Sequence, residues 1–289
     1  MSETIAEIEA EQVTPAVAEH GEGPVWDARS GELLSVDMHR GDLIAVDRAD
    51  TVRRRHTGDL LAALRPRTQG GWVVGLARGF GLLDDDGTSV ARPLGELWTD
   101  PSVRMNDGAC DPAGGFWCGS MEVDAAPGRG ELYRLAPDGS VATMLTGLTI
   151  SNGLCWSPDG SHAYYVDSGT GTVDVLTVDL DVPSVTGRRQ FVAVEGGLPD
   201  GLTVDADGGV WVALYGGSAV HRYTPDGALD VIVRVPTTHP TACTFGGPGL
   251  DELWITTSAQ GADPSDDRAG ALYRCRPGMR GLEPLPYQG

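Results

Sequence analysis

Residues 200–217 read DGLTVDADGGVWVALYGG, and their pattern sets the fold. A polar start is followed by an apolar strand, an Asp/Gly turn and a second apolar strand. The same pattern opens NDGACDPAGGFWCGSM from Asn106, NGLCWSPDGSHAYYVDS from Asn152 and PTACTFGGPGLDELWITTS from Pro240. EGPVWDARSGELLSVDM from Glu22 follows it too, and TQGGWVVGLARGFGLLDDDG from Thr68 is a more degenerate copy. From Asn106 onward the starts, at 106, 152, 200 and 240, are 40–48 residues apart. Further strands ending in turns follow, such as GELYRLAPDG and AVHRYTPDG. Pro-Asp-Gly turns between alternating apolar and polar residues are hairpin chemistry. Four strands per repeat of this length is the arithmetic of a propeller blade. The reading is an all-β chain: a six-bladed β-propeller of four-stranded antiparallel blades around a central channel. A sandwich does not repeat at this period, and a parallel β-helix has shorter coils.

Residues 1–12 are expected to form an acidic N-terminal tail and residues 13–289 a single propeller. Val13–Ala18 is an alternative outer strand that would close the ring against the last blade. Trp26, Trp117, Trp156, Trp211 and Trp254 recur at equivalent places, which favours packing between blades.

Composition narrows the function. The chain of 289 residues has a net charge of −20, and all 21 of its basic residues are arginine. That field disfavours nucleic acid and anionic membrane as partners. Without lysine there is no Schiff-base nucleophile and no phosphate-loop lysine. The opening MSETIAEIEA has neither a basic region nor an apolar run, and no stretch approaches the ~20 apolar residues of a membrane span. The five cysteines have no CxxC spacing, which suits small buried residues in a reducing compartment. A cytoplasmic location is the expectation.

In a propeller the starts of the innermost strands crowd one mouth of the channel. Glu22, Asn106, Asn152 and Asp200 stand at those starts. Carboxylates and amides gathered there are costly unless a cation neutralises them. The donors are all oxygen, which suits a hard divalent ion such as Ca²⁺, Mg²⁺ or Mn²⁺. Taken singly, Glu22, Asn152 and Asp200 read equally well as turn or strand-start residues. As equivalent positions of separate blades they read as ligands. Asp111, Asp159 and Asp205 are turn residues. Of the six histidines, His39 is the one placed to reach a pocket. Ser120 and Ser151 lack the partners of a nucleophilic triad, and the glycines of Gly75–Leu83 lack the following helix of a phosphate loop.

Six ordered motifs then carry a resemblance: EGPVWD from Glu22, RMNDGACDPAG from Arg104, SME from Ser120, SNGLCWSPDG from Ser151, LPDGLTVD from Leu198 and PTACTFGG from Pro240. From about His20 to Gly278 the chain resembles the SMP-30/gluconolactonase/regucalcin family. The resemblance implies a propeller with one divalent cation in its channel, Ca²⁺ first and Mg²⁺, Mn²⁺ or Zn²⁺ as the other candidates. It implies hydrolysis of a small sugar lactone to an aldonic acid. It assigns the cation to Glu22, Asn152 and Asp200, and substrate contacts to Arg104, Asn106 and Glu122. Asp200 is then the candidate general base, with a metal-bound hydroxide as the competing nucleophile. His20 and Tyr215 depart from the family pattern, where a small residue and a tryptophan are usual. Three other functions stay open: a non-catalytic calcium-binding regulatory propeller, a metal-dependent aryl-ester or phosphotriester hydrolase, and a protein-interaction platform.

Overall fold

The computed structural model describes residues 5–289. Six sheets follow one another along the chain as the blades of a propeller. Their inner strands are Gly21–Asp27, Ala63–Pro66, Val103–Cys110, Ser151–Trp156, Leu198–Val204 and Pro240–Gly246, for blades 1 to 6. Each inner strand pairs antiparallel with the next strand of its own blade. Among the described residues helix is limited to two short 3₁₀ turns, Met38–Arg40 and Ser168–Thr170. Among the described residues no helix is long and apolar enough to cross a membrane.

The second blade is the degenerate copy, and its inner strand starts earlier than expected. Thr68–Gly71 form the turn between the inner strand and Trp72–Leu76. The blades adhere through their faces. Trp117 of blade 3 meets Trp156 of blade 4 edge-on at 5.8 Å, and Trp211 of blade 5 meets Phe245 of blade 6 at 5.6 Å. Trp26 and Trp254 share the cluster between blades 1 and 6. Burying side chains of this size contributes about 1.5–3 kcal/mol each.

The N-terminal stretch corrects the expectation of a tail. Ala6–Glu9 runs parallel to Leu229–Arg234 as a fifth strand of blade 5. Glu11–Gln12 then pairs with Tyr273–Cys275 as the outer strand of blade 6. The rest of the predicted tail, residues 1–4, lies outside the described residues. Val13–Ala18 forms no strand, although Val13 and Val17 donate to the carbonyls of Leu272 and Gly270 at 2.8 and 2.9 Å. Ring closure thus falls to residues 6–12, one element earlier than the alternative strand.

Candidate metal centre

The polar residues of the repeat starts are not turn residues. Glu22, Asn106, Asn152 and Asp200 lie inside strands, at places where the pairing with the second strand slips. The slip leaves Asn106 and Asp107, Asn152 and Gly153, and Asp200 and Gly201 without ladder partners. Such a bulge bends the strand and re-aims its side chains. The glycine that follows is needed for close approach between blades. A Cβ on Gly153 would stand 2.6 Å from the Asp200 carbonyl oxygen, and one on Gly201 would stand 2.4 Å from Ala242 Cβ. The Asn-Gly and Asp-Gly pairs therefore mark contacts between inner strands.

The entries to these strands are pinned by acids from neighbouring strands. Asp37 accepts the amides of Glu19 and His20, both at 3.1 Å. Asp167 does the same for Thr149 and Ile150, at 3.1 and 2.9 Å. Each clamp fixes the backbone just before a site residue, Glu22 in one blade and Asn152 in the other.

Glu22, Asn106, Asn152 and Asp200 are all buried. Asn152 Oδ1 and Asp200 Oδ1 have no hydrogen-bond partner. Asn152 is oriented from its other end, where Nδ2 donates to Ser168 Oγ at 3.1 Å. Glu22 accepts one weak bond, from its neighbour Gly23 N at 3.1 Å. Burial, then the charges of Asp200 and Asp107, push the Glu22 carboxyl well above the usual carboxylate range. Burial and Asp107 do the same to Asp200. Orphaned buried oxygens are rare and costly in native proteins, and gathered carboxylates disfavour their own ionisation. A hard cation fits this donor set: two carboxylates and an amide oxygen, without sulfur or ring nitrogen among them.

Arg104 stands beside the acids. Its Nη1 donates to Asn106 Oδ1 at 2.7 Å and to the Met105 carbonyl at 3.0 Å. Asn106 Nδ2 in turn donates to the Ser151 carbonyl at 3.0 Å. Burial lowers the Arg104 pKa to about 10, against the pull of Glu22 and Asp200. It remains a cation at neutral pH. Around it, His20 stacks on His39 at 5.1 Å and Tyr215 on His239 at 4.3 Å. His20 Nδ1 shares a 2.8 Å hydrogen bond with Ser258 Oγ. Burial, then the charges of His39, Arg104 and His239, drive its pKa down to about 3, so it is neutral.

The structure thus brings Glu22, Arg104, Asn106, Asn152 and Asp200 to one end of the channel. Glu122 is held by its own loop. It ends the second strand of blade 3 opposite Val103, and its Oε2 accepts the amides of Asp124 and Ala126 at 2.8 and 3.2 Å. Sequence reasoning missed Asp107, which is buried and adds its charge to both Glu22 and Asp200. Its only signal was its place beside Asn106, where a bulge presents two successive residues. Blade 2 offers no polar group here: Leu61, Ala62 and Ala63 are fully buried at the head of its inner strand.

Comparison with known proteins fits this arrangement. The chain is 34% identical to regucalcin of Macaca fascicularis, over 99% of this chain and 100% of that one. A crystal structure of a calcium-binding protein, regucalcin, from Agrobacterium tumefaciens superposes with a TM-score of 0.90 at 26% identity, covering 99% of this chain and 100% of the other. A luciferin-regenerating enzyme superposes with a TM-score of 0.89 at 29% identity, covering 97% and 99%. The family model of the SMP-30/Gluconolactonase/LRE-like region matches residues 20–259. On that match, which spans most of its length, the chain belongs to the SMP-30/gluconolactonase/LRE-like family.

Proposed function

We propose that this protein is a divalent-cation-dependent lactonase that opens a small sugar lactone to its aldonic acid. The observation that carries the reading is the pair of orphaned oxygens, Asn152 Oδ1 and Asp200 Oδ1, buried beside Glu22 and within reach of the Arg104 charge. Glu22, Asn152 and Asp200 would hold the cation, and the Agrobacterium relative described as calcium-binding supports Ca²⁺. When bound, the cation supplies Lewis-acid polarisation of the lactone carbonyl. Arg104 is held by one nitrogen, Nη1, which leaves Nη2 and Nε to grip sugar oxygens as a rigid fork. Asn106 fixes that guanidinium and is fixed by the Ser151 carbonyl. Glu122, anchored by its loop next to the Arg104 strand, accepts from a sugar hydroxyl. Asp200 orients the attacking water, takes its proton and returns it to the leaving ring oxygen. The neutral rings of His20 and His39, with Tyr215 opposite, bound the mouth and set the size of sugar admitted. The five cysteines are all free thiols, which supports a cytoplasmic setting.

The test is a panel of aldonolactones assayed by pH-stat acid release with Ca²⁺, Mg²⁺, Mn²⁺ and Zn²⁺. Metal-dependent acid release is the expected result, and its absence for every lactone refutes the enzyme. The second reading, a calcium-binding regulatory propeller without catalysis, is favoured by the regucalcin relatives. It predicts calcium binding without acid release and indifference to loss of Arg104.

A further inference from the structure

The channel has a second mouth, at the far ends of the inner strands. Past the site residues, the strands of blades 3 to 6 run on to Cys110, Trp156, Val204 and Thr244, and a cavity of about 390 Å³ opens among them. That volume lies within the range of small-molecule sites. Much of its wall is apolar, from Leu154, Trp156, Leu202 and Val204. One cationic group faces it, Arg65 from the inner strand of blade 2.

Arg65 is unlike the buried arginines of the blades. Arg134 and Arg222 each form a close ion pair with an aspartate. Arg65 Nη1 donates to the Leu64 carbonyl at 2.7 Å, and the guanidinium pairs with no carboxylate among the described residues. It lines the cavity together with Cys110 and Cys155, and its charge also reaches Asp107. Two acids also border the cavity, both at its outer edge. Asp159 is already held by the hydroxyls of Ser157 and Ser161 at 2.7 and 2.8 Å, and Glu283 is exposed.

A strap crosses this mouth. At one end the Arg280 carbonyl accepts Ala206 N and Gly281 N donates to the Leu250 carbonyl, both at 2.8 Å. At the other, Tyr287 N donates to the Pro66 carbonyl at 2.8 Å and Gln288 N to the Gly114 carbonyl at 3.0 Å. Between these anchors runs Leu282-Glu283-Pro284-Leu285-Pro286. Its two prolines stiffen the span and carry no N–H that needs a partner. Leu282 and Leu285 remain 39% and 37% exposed, yet both line the cavity.

We propose that this lower cavity binds a small amphiphilic monocarboxylate. Its carboxylate sits on Arg65, and its apolar body lies between Leu154, Trp156, Leu202 and the strap leucines. The argument is independent of any reaction at the other mouth. A carboxylate gives the guanidinium a charge-assisted partner, and the apolar body covers the exposed leucines.

Isothermal titration with octanoate and with 1-octanol separates the two parts of this claim. The wild type is expected to bind one octanoate per chain, about tenfold or more tighter than octanol. Arg65→Gln should lower octanoate affinity to that of octanol and leave octanol unchanged. Leu285→Glu, at an exposed strap position, should weaken octanoate about tenfold or more and serves if Arg65→Gln does not fold. Circular dichroism melts confirm the fold of each variant. Equal affinity for acid and alcohol overturns the proposal, as does absence of binding to the wild type. Octanoate binding undiminished in a folded Arg65→Gln, or undiminished in a folded Leu285→Glu, overturns it equally.

Discussion

Two kinds of buried aspartate occupy the same propeller. Asp205 is 0% exposed and Asp200 is 6% exposed, and they stand on one strand and its following turn. Asp205 is fully provided for. Its Oδ1 accepts the amides of Asp207 and Gly209 at 3.0 and 2.8 Å, and its Oδ2 accepts Trp211 Nε1 at 2.8 Å and Arg222 Nε at 2.7 Å. Asp111 repeats the arrangement with Gly115, Trp117 and Arg134. Asp200 has an oxygen with no partner and faces other acids. Burial is equal in kind, so burial alone does not tell structure from function. Where the fold uses a carboxylate for itself, it supplies an arginine, an indole and amides. Where the oxygen is left bare among like charges, as at Asp200, we propose a ligand as the missing partner.

That contrast can be broken by experiment. The largest effect is expected at Asp200. Asp200→Asn should lower lactone hydrolysis by about 10²–10⁴-fold, with no loss of stability in metal-free buffer, because it removes a charge the fold does not compensate. Full activity in this variant would void the site assignment. Asp205→Ala should do the reverse. It takes the acceptor from Trp211 Nε1 and Arg222 Nε and leaves Arg222 only Asp230, and removing one partner of a buried pair costs about 3–5 kcal/mol. Urea denaturation should show the loss, while activity per folded molecule stays near wild type.

Calcium sharpens the comparison next. At a hundred times its Kd, a ligand bound only by the native state adds about 2.7 kcal/mol. The wild type should gain that stability with Ca²⁺ and lose it on adding a chelator. Asp200→Asn and Glu22→Gln should show no such gain; a gain equal to wild type in both would place the cation elsewhere. The smallest effect is expected at Asp107, which contributes charge to the cluster and whose Oδ1 already accepts Gly108 N at 2.7 Å. Asp107→Asn should weaken Ca²⁺ affinity about tenfold, a change of about 1.4 kcal/mol. An unchanged calorimetric Kd would remove Asp107 from the electrostatics of the site.

The propeller was legible because its repeat is written in turn chemistry and recurring tryptophans, both local signals. Glu22, Asn152 and Asp200 were legible as equivalent positions in a repeat. Their environment was not, since the bulge that aims them depends on a neighbouring strand. The same bulge hid Asp107, because a repeat read one position at a time takes Asn106 and passes over the residue behind it. Asp111 and Asp205 were read as turn formers, and they are. Their second role depends on an arginine in the third strand, Arg134 or Arg222, that no spacing rule connects to them. The strands at Ala6–Glu9 and Glu11–Gln12 escaped for a different reason. They are outermost, short and mostly exposed, and the alternation of Ala6 and Ile8 with glutamates is too brief to stand out from an acidic tail.

That N-terminal clasp also bears on how the ring assembles. Residues 6–12 leave the ribosome early, but their partners at Leu229–Arg234 and Tyr273–Cys275 come near the end of the chain. A segment made before all six blades is therefore among the last to be placed. Until the fifth and sixth blades emerge, this segment has no strand to pair with. Contacts of such long sequence separation slow folding and prolong the exposure of unpaired edges. Synthesis rate and chaperone access should thus govern the yield of this protein more than its final stability does.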